Sequence, residues 1–402
     1  MTHNPKPSNN VLVVGVGITP VGEHWEKSIR ELALEAILAA SQEVPGLKPQ
    51  ALYVANMMAP YLSGQTQLAA LVADFAGMRG IETVTIEAAG ASGGAAIRQA
   101  YLALTSGMRD VVLVVGAEKV TERTSAELEA ALTSASDADH EAVHGITPAA
   151  QAALLMRRYL IENNAPQDAL LGFSLNAHTN AVTNPNALFR RPITAENYTR
   201  SSMVSDPINL FDAAPLADGA AALILARAEV MPDTLPHPKV KIEASASVST
   251  AVSLHDRNDP LMLDAAAESV RRCLHQAGLT YDEIDFFELH DRYTIFAALS
   301  LEAAGFAKHG QGWCLAQNNA IARDGQIPIS TFGGSKARGD TGGATGVYQV
   351  AEATLQLQCR AGENQVPNAM VGMTQCLGSS GATAVTHILK QFDPSREGSD
   401  SS

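Results

Sequence analysis

Two short runs of small residues, Gly90-Ala-Ser-Gly-Gly-Ala-Ala96 and Gly339-Asp-Thr-Gly-Gly-Ala-Thr345, spell nearly the same turn in the two halves of the chain. Each opens a helix; the first follows a β-rich run over 83–87 and continues through Ile97, Ala100, Tyr101 and Leu104. A strand that turns sharply into a helix leaves unpaired N–H groups at the helix start, and these favour negative charge. Matching turns predict duplicated halves packed about a pseudo-twofold axis, with both helix starts aimed at one central cleft. Two electropositive helix ends can there face one developing anion.

The remaining pattern agrees with a duplicated α/β fold. A buried strand is expected over 11–17 and a helix over 28–41, then strand 51–58, helix 67–78, the turn with its helix to 105, and strand 110–116. Residues 121–199 are more polar and break the rhythm, with a helix near 148–163, and are read as an inserted cap. A strand returns at 215–225, and Asp218 before Gly219 is read as tying down a turn. From residue 240 the order repeats: strand to 246, helix 263–277, strand 284–289, helix 294–304, the second glycine-rich turn, and strands near 369–373 and 382–389. Strands alternating with helices argue for a mostly parallel sheet covered on both faces. The expected units are an N-terminal half of 1–120 with 201–235, an insertion of 121–200, a C-terminal half of 236–392 and a disordered tail of 393–402.

Composition narrows the partners. With 402 residues of which 46% are apolar, the chain can bury a large core, and a formal charge of −14 argues against nucleic acid or an anionic membrane. The tightest basic cluster, Arg190-Arg191, reads as a solvated loop. Cys273, Cys314, Cys359 and Cys376 show no C-x-x-C spacing, so no zinc site or disulfide framework is suggested and a reducing, cytoplasmic setting is expected. The polar, Pro-rich opening reads as neither a signal peptide nor a membrane span. Gly15-x-Gly17 lacks the third glycine of a dinucleotide turn, which makes a dehydrogenase a weak reading.

Six stretches in order carry a resemblance. They are the elbow at Gly90, Asn184-Pro185 with Pro192-Ile-Thr194, Asp218-Gly-Ala-Ala, Glu288-Leu-His-Asp291, Gly333-Gly-Ser-Lys-Ala-Arg-Gly339 through Gly346, and Cys376-Leu-Gly378. Together the chain resembles the thiolase superfamily, and within it the archaeal and sterol-carrier-protein-type thiolases, which are acetyl-CoA acetyltransferase-like. The resemblance implies a thiolase fold of duplicated, five-layered α/β/α/β/α halves with an inserted loop domain. It further implies a homodimer or tetramer, an acyl-CoA substrate of lipid metabolism carried as a coenzyme A thioester with no other cofactor and no metal, and a small OB-fold, zinc-ribbon partner protein.

Carried over residue by residue, the family's acyl-accepting Cys position holds Gly90 and its basic His position holds Asp340, with Thr341 where Pro is usual. His290 and Asp291 of the oxyanion motif are retained, followed by Arg292 and Tyr293; Cys376 matches the second catalytic Cys, and Gly378 its glycine with an oxyanion-binding backbone. Thiolysis through an acyl-enzyme needs a thiolate beside a base. Glycine at position 90 removes the first, and an ordinary Asp, with a pKa of about 3.9, is a poor base for a thiol. Aldol or retro-aldol chemistry needs less: His290 and the Gly378 backbone as donors to a thioester enolate, Asp340 or Cys376 to move a proton, and Tyr293 as acid for the alkoxide. Burial would raise the Asp340 pKa toward a useful base, and Arg292 would oppose that rise.

Each of these residues has a bland reading as well. His290 can bond a core carbonyl, Tyr293 can be packing, Cys376 an inert buried thiol, Asp340 the cap of its helix and His178 structural, while Lys336 and Arg338 can contact a CoA phosphate but read more simply as solvated loop charges. The competing function is a non-catalytic binder of CoA esters, or the scaffold subunit of a thiolase-type complex.

Overall fold

The computed structural model describes residues 10–232 and 235–392; the tail expected at 393–402 lies outside them. Strands β1 (Val11–Ile18), β2 (Ala51–Ala55), β3 (Glu82–Ile86) and β4 (Val111–Glu118) precede a small hairpin of β5 (Met203–Ser205) and β6 (Ile208–Asn209). Then come β7 (Gly219–Arg227), β8 (Lys239–Ser249), β9 (Phe286–Glu288), β10 (Val371–Gly378) and β11 (Thr383–Phe392). Nine of them form one sheet in the order β3-β2-β4-β7-β1-β8-β11-β10-β9.

That order is its own mirror about the β1–β8 junction. Reading outward, β1 answers β8, β7 answers β11, β4 answers β10 and β2 answers β9, while a parallel bridge of Phe287 to Ile329 stands where β3 stands in the first half. The halves join through two residue pairs, Leu12 with Lys241 and Val13 with Val240. The sheet is parallel at β3-β2-β4 and at β10-β9, and antiparallel through its centre. Helical crossovers account for the parallel parts. The antiparallel centre reflects the return of β7 after the insertion and the direct β10–β11 turn.

Helices Ser92–Thr105 and Thr345–Leu357 form the central layer, each touching strands of both halves. The second is buried almost around its full circumference, as a helix between two sheet faces must be. Glycine lets the two come close: a Cβ on Gly93 would lie 2.6 Å from the Val347 nitrogen, and one on Gly346 would lie 2.5 Å from that of Gly94. The duplicated turns therefore bring their helix starts together, as their spelling predicts. They differ in one respect: a 3-10 turn, Gly342–Ala344, precedes the second helix.

Gly15 and Gly17 lie inside β1 and not in a phosphate-binding turn. A Cβ on either would strike the carbonyls of Ala40 (2.5 Å) or Ala36 (2.0 Å) in helix Ile29–Glu43, so both glycines serve close helix–strand packing. This disposes of the dehydrogenase reading.

The insertion is more helical than its polarity suggests. Besides Pro148–Glu162 it holds Ser125–Thr133, opened by a Thr124/Glu127 capping box, and Leu171–Ala181. In and just after the last, polar side chains serve the loop 329–332 rather than solvent: Asn176 and Asn180 donate to the Ile329 carbonyl at 3.2 and 3.3 Å, and Asn184 donates to that of Phe332 at 2.9 Å.

Candidate active site

The first elbow is strained and tied. Ala89 has φ +50°, a left-handed conformation that costs a non-glycine residue on the order of 1 kcal/mol. Its N–H donates to Glu87 Oε1 at 2.6 Å, while Ser92 Oγ donates to its carbonyl at 2.6 Å and accepts from the Ala88 N–H at 2.8 Å. Gly90 follows, facing an enclosed cavity. The roof is Leu132, Ala135, Ser136 and Pro148 of the insertion, the floor Leu377, Ser379 and Ser380, and the wall His290, Arg292 and Tyr293.

His290 is buried and leans over Gly90: a Cβ built there would stand 3.0 Å from His290 Cε1, 3.5 Å from Nε2 and 2.6 Å from the Leu377 carbonyl. Its Nδ1 has no hydrogen-bond partner among the described residues. Burial, reinforced by Arg292, pushes the imidazole pKa down to about 4, so at neutral pH the ring is uncharged, with one nitrogen to donate and one to accept.

Asp340 is held rather than poised. Its Oδ2 accepts from Arg292 Nε, and its Oδ1 accepts from the Gly342 N–H at 3.0 Å and from Thr345 Oγ1 at 3.1 Å, capping the turn that opens the second helix. Burial works against the charge, but the Arg292 guanidinium more than offsets it and holds the carboxyl below the usual carboxylate range. The base that burial alone would create is therefore not formed. Arg292 keeps Nη2 buried and without a partner among the described residues.

Tyr293 opens helix Thr294–Ala303, lines the cavity with its ring beside Phe296 (centroids 6.1 Å apart), and makes no side-chain hydrogen bond among the described residues. Burial raises its phenol to about 12, so it is protonated.

Cys376 is not brought to the cavity. Its side chain points to the other face of β10, into a small apolar cluster with Ala91 and Val385, and a Cβ on Gly94 would be 2.3 Å from its sulfur. Burial pushes this thiol up to about 12, which suits the inert reading. Gly378 ends β10 with its α-carbon against the elbow, where a Cβ would be 2.5 Å from the Ala88 carbonyl; its neighbours Leu377 and Ser379 line the cavity.

Other expected roles change with burial. Asp291 accepts from the Ser335 N–H at 2.6 Å and from Ser330 Oγ at 3.1 Å, fixing the loop before Asp340. Asp218 anchors segments distant in sequence rather than a local turn, accepting from the Val120 and His24 amides at 2.6 and 3.0 Å and from Lys119 Nζ at 2.9 Å. Neither Lys336 nor Arg338 is a solvated loop charge: both are buried, and Arg338 pairs with Glu352 at 2.6 Å under the Tyr348 ring. His178 packs against Phe189 and Phe211.

Sequence reading missed the polar chain Ser136–Gln151–Ser380 at the cavity edge, in which Ser380 Oγ donates to Gln151 Oε1 and Gln151 Nε2 donates to Ser136 Oγ at 3.3 Å. The available signal was Gln151 on the apolar face of its helix, beside Ala152 and Leu155.

The sequence matches one family over both halves. The thiolase N-terminal domain matches residues 11–229, and the thiolase C-terminal domain-like family matches residues 246–391. The chain belongs to the thiolase family. It is 38% identical over 384 residues to the acetyl-CoA acetyltransferase of Methanothermobacter thermautotrophicus, covering 95% of this chain and 100% of the relative. It is 30% identical over 370 residues to the 17-hydroxy-3-oxo-4-pregnene-20-carboxyl-CoA lyase of Mycobacterium tuberculosis, covering 87% and 92%. Among solved structures, the Ltp2-ChsH2(DUF35) aldolase superposes with a TM-score of 0.82 at 24% identity, covering 96% of this chain and 99% of that one.

Proposed function

We propose that this protein makes or breaks a carbon–carbon bond in a coenzyme A thioester by aldol or retro-aldol chemistry, without a cysteine-bound acyl intermediate. One observation carries the reading: His290, Arg292 and Tyr293 converge on an enclosed cavity at Gly90 whose lining contains no thiol. In the cleavage direction the bond between Cα and Cβ breaks, its electron pair moves onto the thioester as an enolate, and the protonated Tyr293 acts as a relay, handing its phenol proton on to Cα as it takes the proton of the 3-hydroxyl group. The unpartnered Arg292 Nη2 and the neutral His290 supply hydrogen bonds to that enolate oxygen. Asp340 keeps Arg292 in place, and protonation of Cα completes the reaction.

The names of relatives support the class: one is a lyase of a CoA thioester and one structural neighbour an aldolase with a DUF35 component. That component supports a small partner protein, the OB-fold, zinc-ribbon type that the family resemblance implies. Four free cysteines fit a reducing, cytoplasmic setting, and no helix of the described residues is long and apolar enough to cross a membrane.

The test incubates the full chain with 3-hydroxyacyl-CoA thioesters, alone and with the partner, and measures released aldehyde or ketone. Release, lowered about 10²- to 10⁴-fold by Tyr293→Phe, is expected for a positioned proton carrier. No release under any of these conditions overturns the proposal. The enclosed space is small, about 20 Å³, and this favours a second reading as a non-catalytic CoA-ester-binding or scaffold subunit. Tight thioester binding without turnover would support it.

A further inference from the structure

A second cavity, of about 410 Å³, lies behind segment 213–215, away from Gly90. Its walls are mostly apolar, with Phe189, Leu210 and Phe211 prominent, and its ionisable lining is Lys336, His178 and Arg191. No carboxylate lines it, in a chain whose formal charge is −14. The segment between the two cavities holds the cleft from behind: the Ala214 N–H donates to the Arg292 carbonyl at 2.8 Å, and the Asp340 N–H donates to that of Pro215 at 2.8 Å.

Lys336 is the unusual member. It is 2% exposed, and its ammonium, with three N–H donors, has a single acceptor among the described residues, the Asp212 carbonyl at 2.5 Å. The Asp212 carboxylate is already engaged, accepting from Tyr198 Oη and Thr294 Oγ1, each at 2.6 Å, and from the Asn209 N–H at 3.1 Å. A buried ammonium short of acceptors costs free energy that an anionic ligand would recover. The charge at the mouth has the same sign: Arg191 is exposed and makes no ion pair among the described residues. His178 contributes a flat wall, stacked on Phe189 at 6.0 Å and edge-on to Phe211 at 5.6 Å. A volume of this order is within the range of small-molecule sites.

We propose that this cavity binds a small amphipathic carboxylate, its compact apolar body against Phe189, Leu210 and Phe211 and its carboxylate on the Lys336 ammonium, with Arg191 drawing the anion in. The site is separate from the reaction proposed at Gly90 and does not rest on it.

Isothermal titration of the full chain with benzoate and hexanoate, set against the neutral isostere benzamide, tests the proposal. One site is expected that binds a carboxylate at least tenfold more tightly than benzamide. Lys336→Met should weaken carboxylate binding at least tenfold. Leu210→Trp, at a wall residue 56% exposed, should block binding while leaving Lys336 and the thermal midpoint in place. Equal binding of benzoate and benzamide, no binding of either carboxylate, or unchanged binding in Leu210→Trp overturns it. The comparison of acid with amide uses the unaltered chain, so it stands if a variant fails to fold.

Discussion

The imidazole of His290 occupies the space that a side chain on Gly90 would need: a Cβ there would sit 3.0 Å from Cε1 of the ring, with the Leu377 carbonyl at 2.6 Å on its other side. Position 90 is therefore not an empty socket from which a thiol has been removed, because the ring and the end of β10 have closed over it. Gly90→Ala and Gly90→Cys should destabilise the fold by about 1–3 kcal/mol, the usual cost of overpacking. Urea denaturation measures this. Restoring Gly90→Cys together with Asp340→His should accordingly give no thiolase activity.

Buried Asp340 and part-buried Arg292 form an ion pair whose separation leaves one charge unmatched. Asp340→Asn should cost about 3–5 kcal/mol, and Arg292→Met combined with Asp340→Asn clearly less, since both charges are then gone. Because the folded pKa of Asp340 is depressed, its contribution is present above the unfolded value of about 3.9 and is lost as pH falls through the lower folded value. A double-mutant cycle in thermal or urea unfolding measures the coupling.

His290 acts in the same sense as Asp340, at higher pH. Its folded pKa of about 4 lies below the unfolded value of about 6.5, so the folded state resists protonation. Its neutral-ring contribution is complete above pH 6.5 and is lost progressively as pH falls toward 4, on the order of 3 kcal/mol in all. Glu118 and Glu352, whose pKa values burial raises to about 7 and about 8, act in the opposite sense. The His290 term is therefore read as the difference in pH dependence between the unaltered chain and His290→Gln, which should lose less stability between pH 6.5 and 4.

The thiols divide by burial. Cys376 and Cys273, each pushed up to about 12, should resist a thiol reagent in the folded protein, while exposed Cys359 should react. Peptide mapping after brief labelling checks this. Cys376→Ala should leave turnover of any accepted thioester within about twofold, as its side chain lies on the far face of β10.

Much of this was legible in the sequence because it rested on local patterns. The repeated turn announced the paired central helices, and Gly90, His290, Arg292 and Tyr293 were each visible and meet at one cavity. What stayed hidden depends on direction and distance. Cys376 and Leu377 are adjacent, but strand alternation sends one to the interior cluster and the other to the cleft, and spacing alone does not say which. The opposition between burial and Arg292 at Asp340 was readable as two forces; which one wins required the contact between the two side chains. Lys336 and Arg338 looked like loop charges because composition cannot show that their loop is buried against helices Leu171–Ala181 and Thr345–Leu357.

The central claim is that no acyl group is stored on this chain. Rapid-quench intact-protein mass spectrometry after mixing with acyl-CoA and 3-hydroxyacyl-CoA thioesters tests it most directly. The account predicts an unchanged protein mass while aldehyde or ketone accumulates from the 3-hydroxyacyl thioesters. A labile acyl adduct, mapped to Cys376 or to any other thiol, would contradict it.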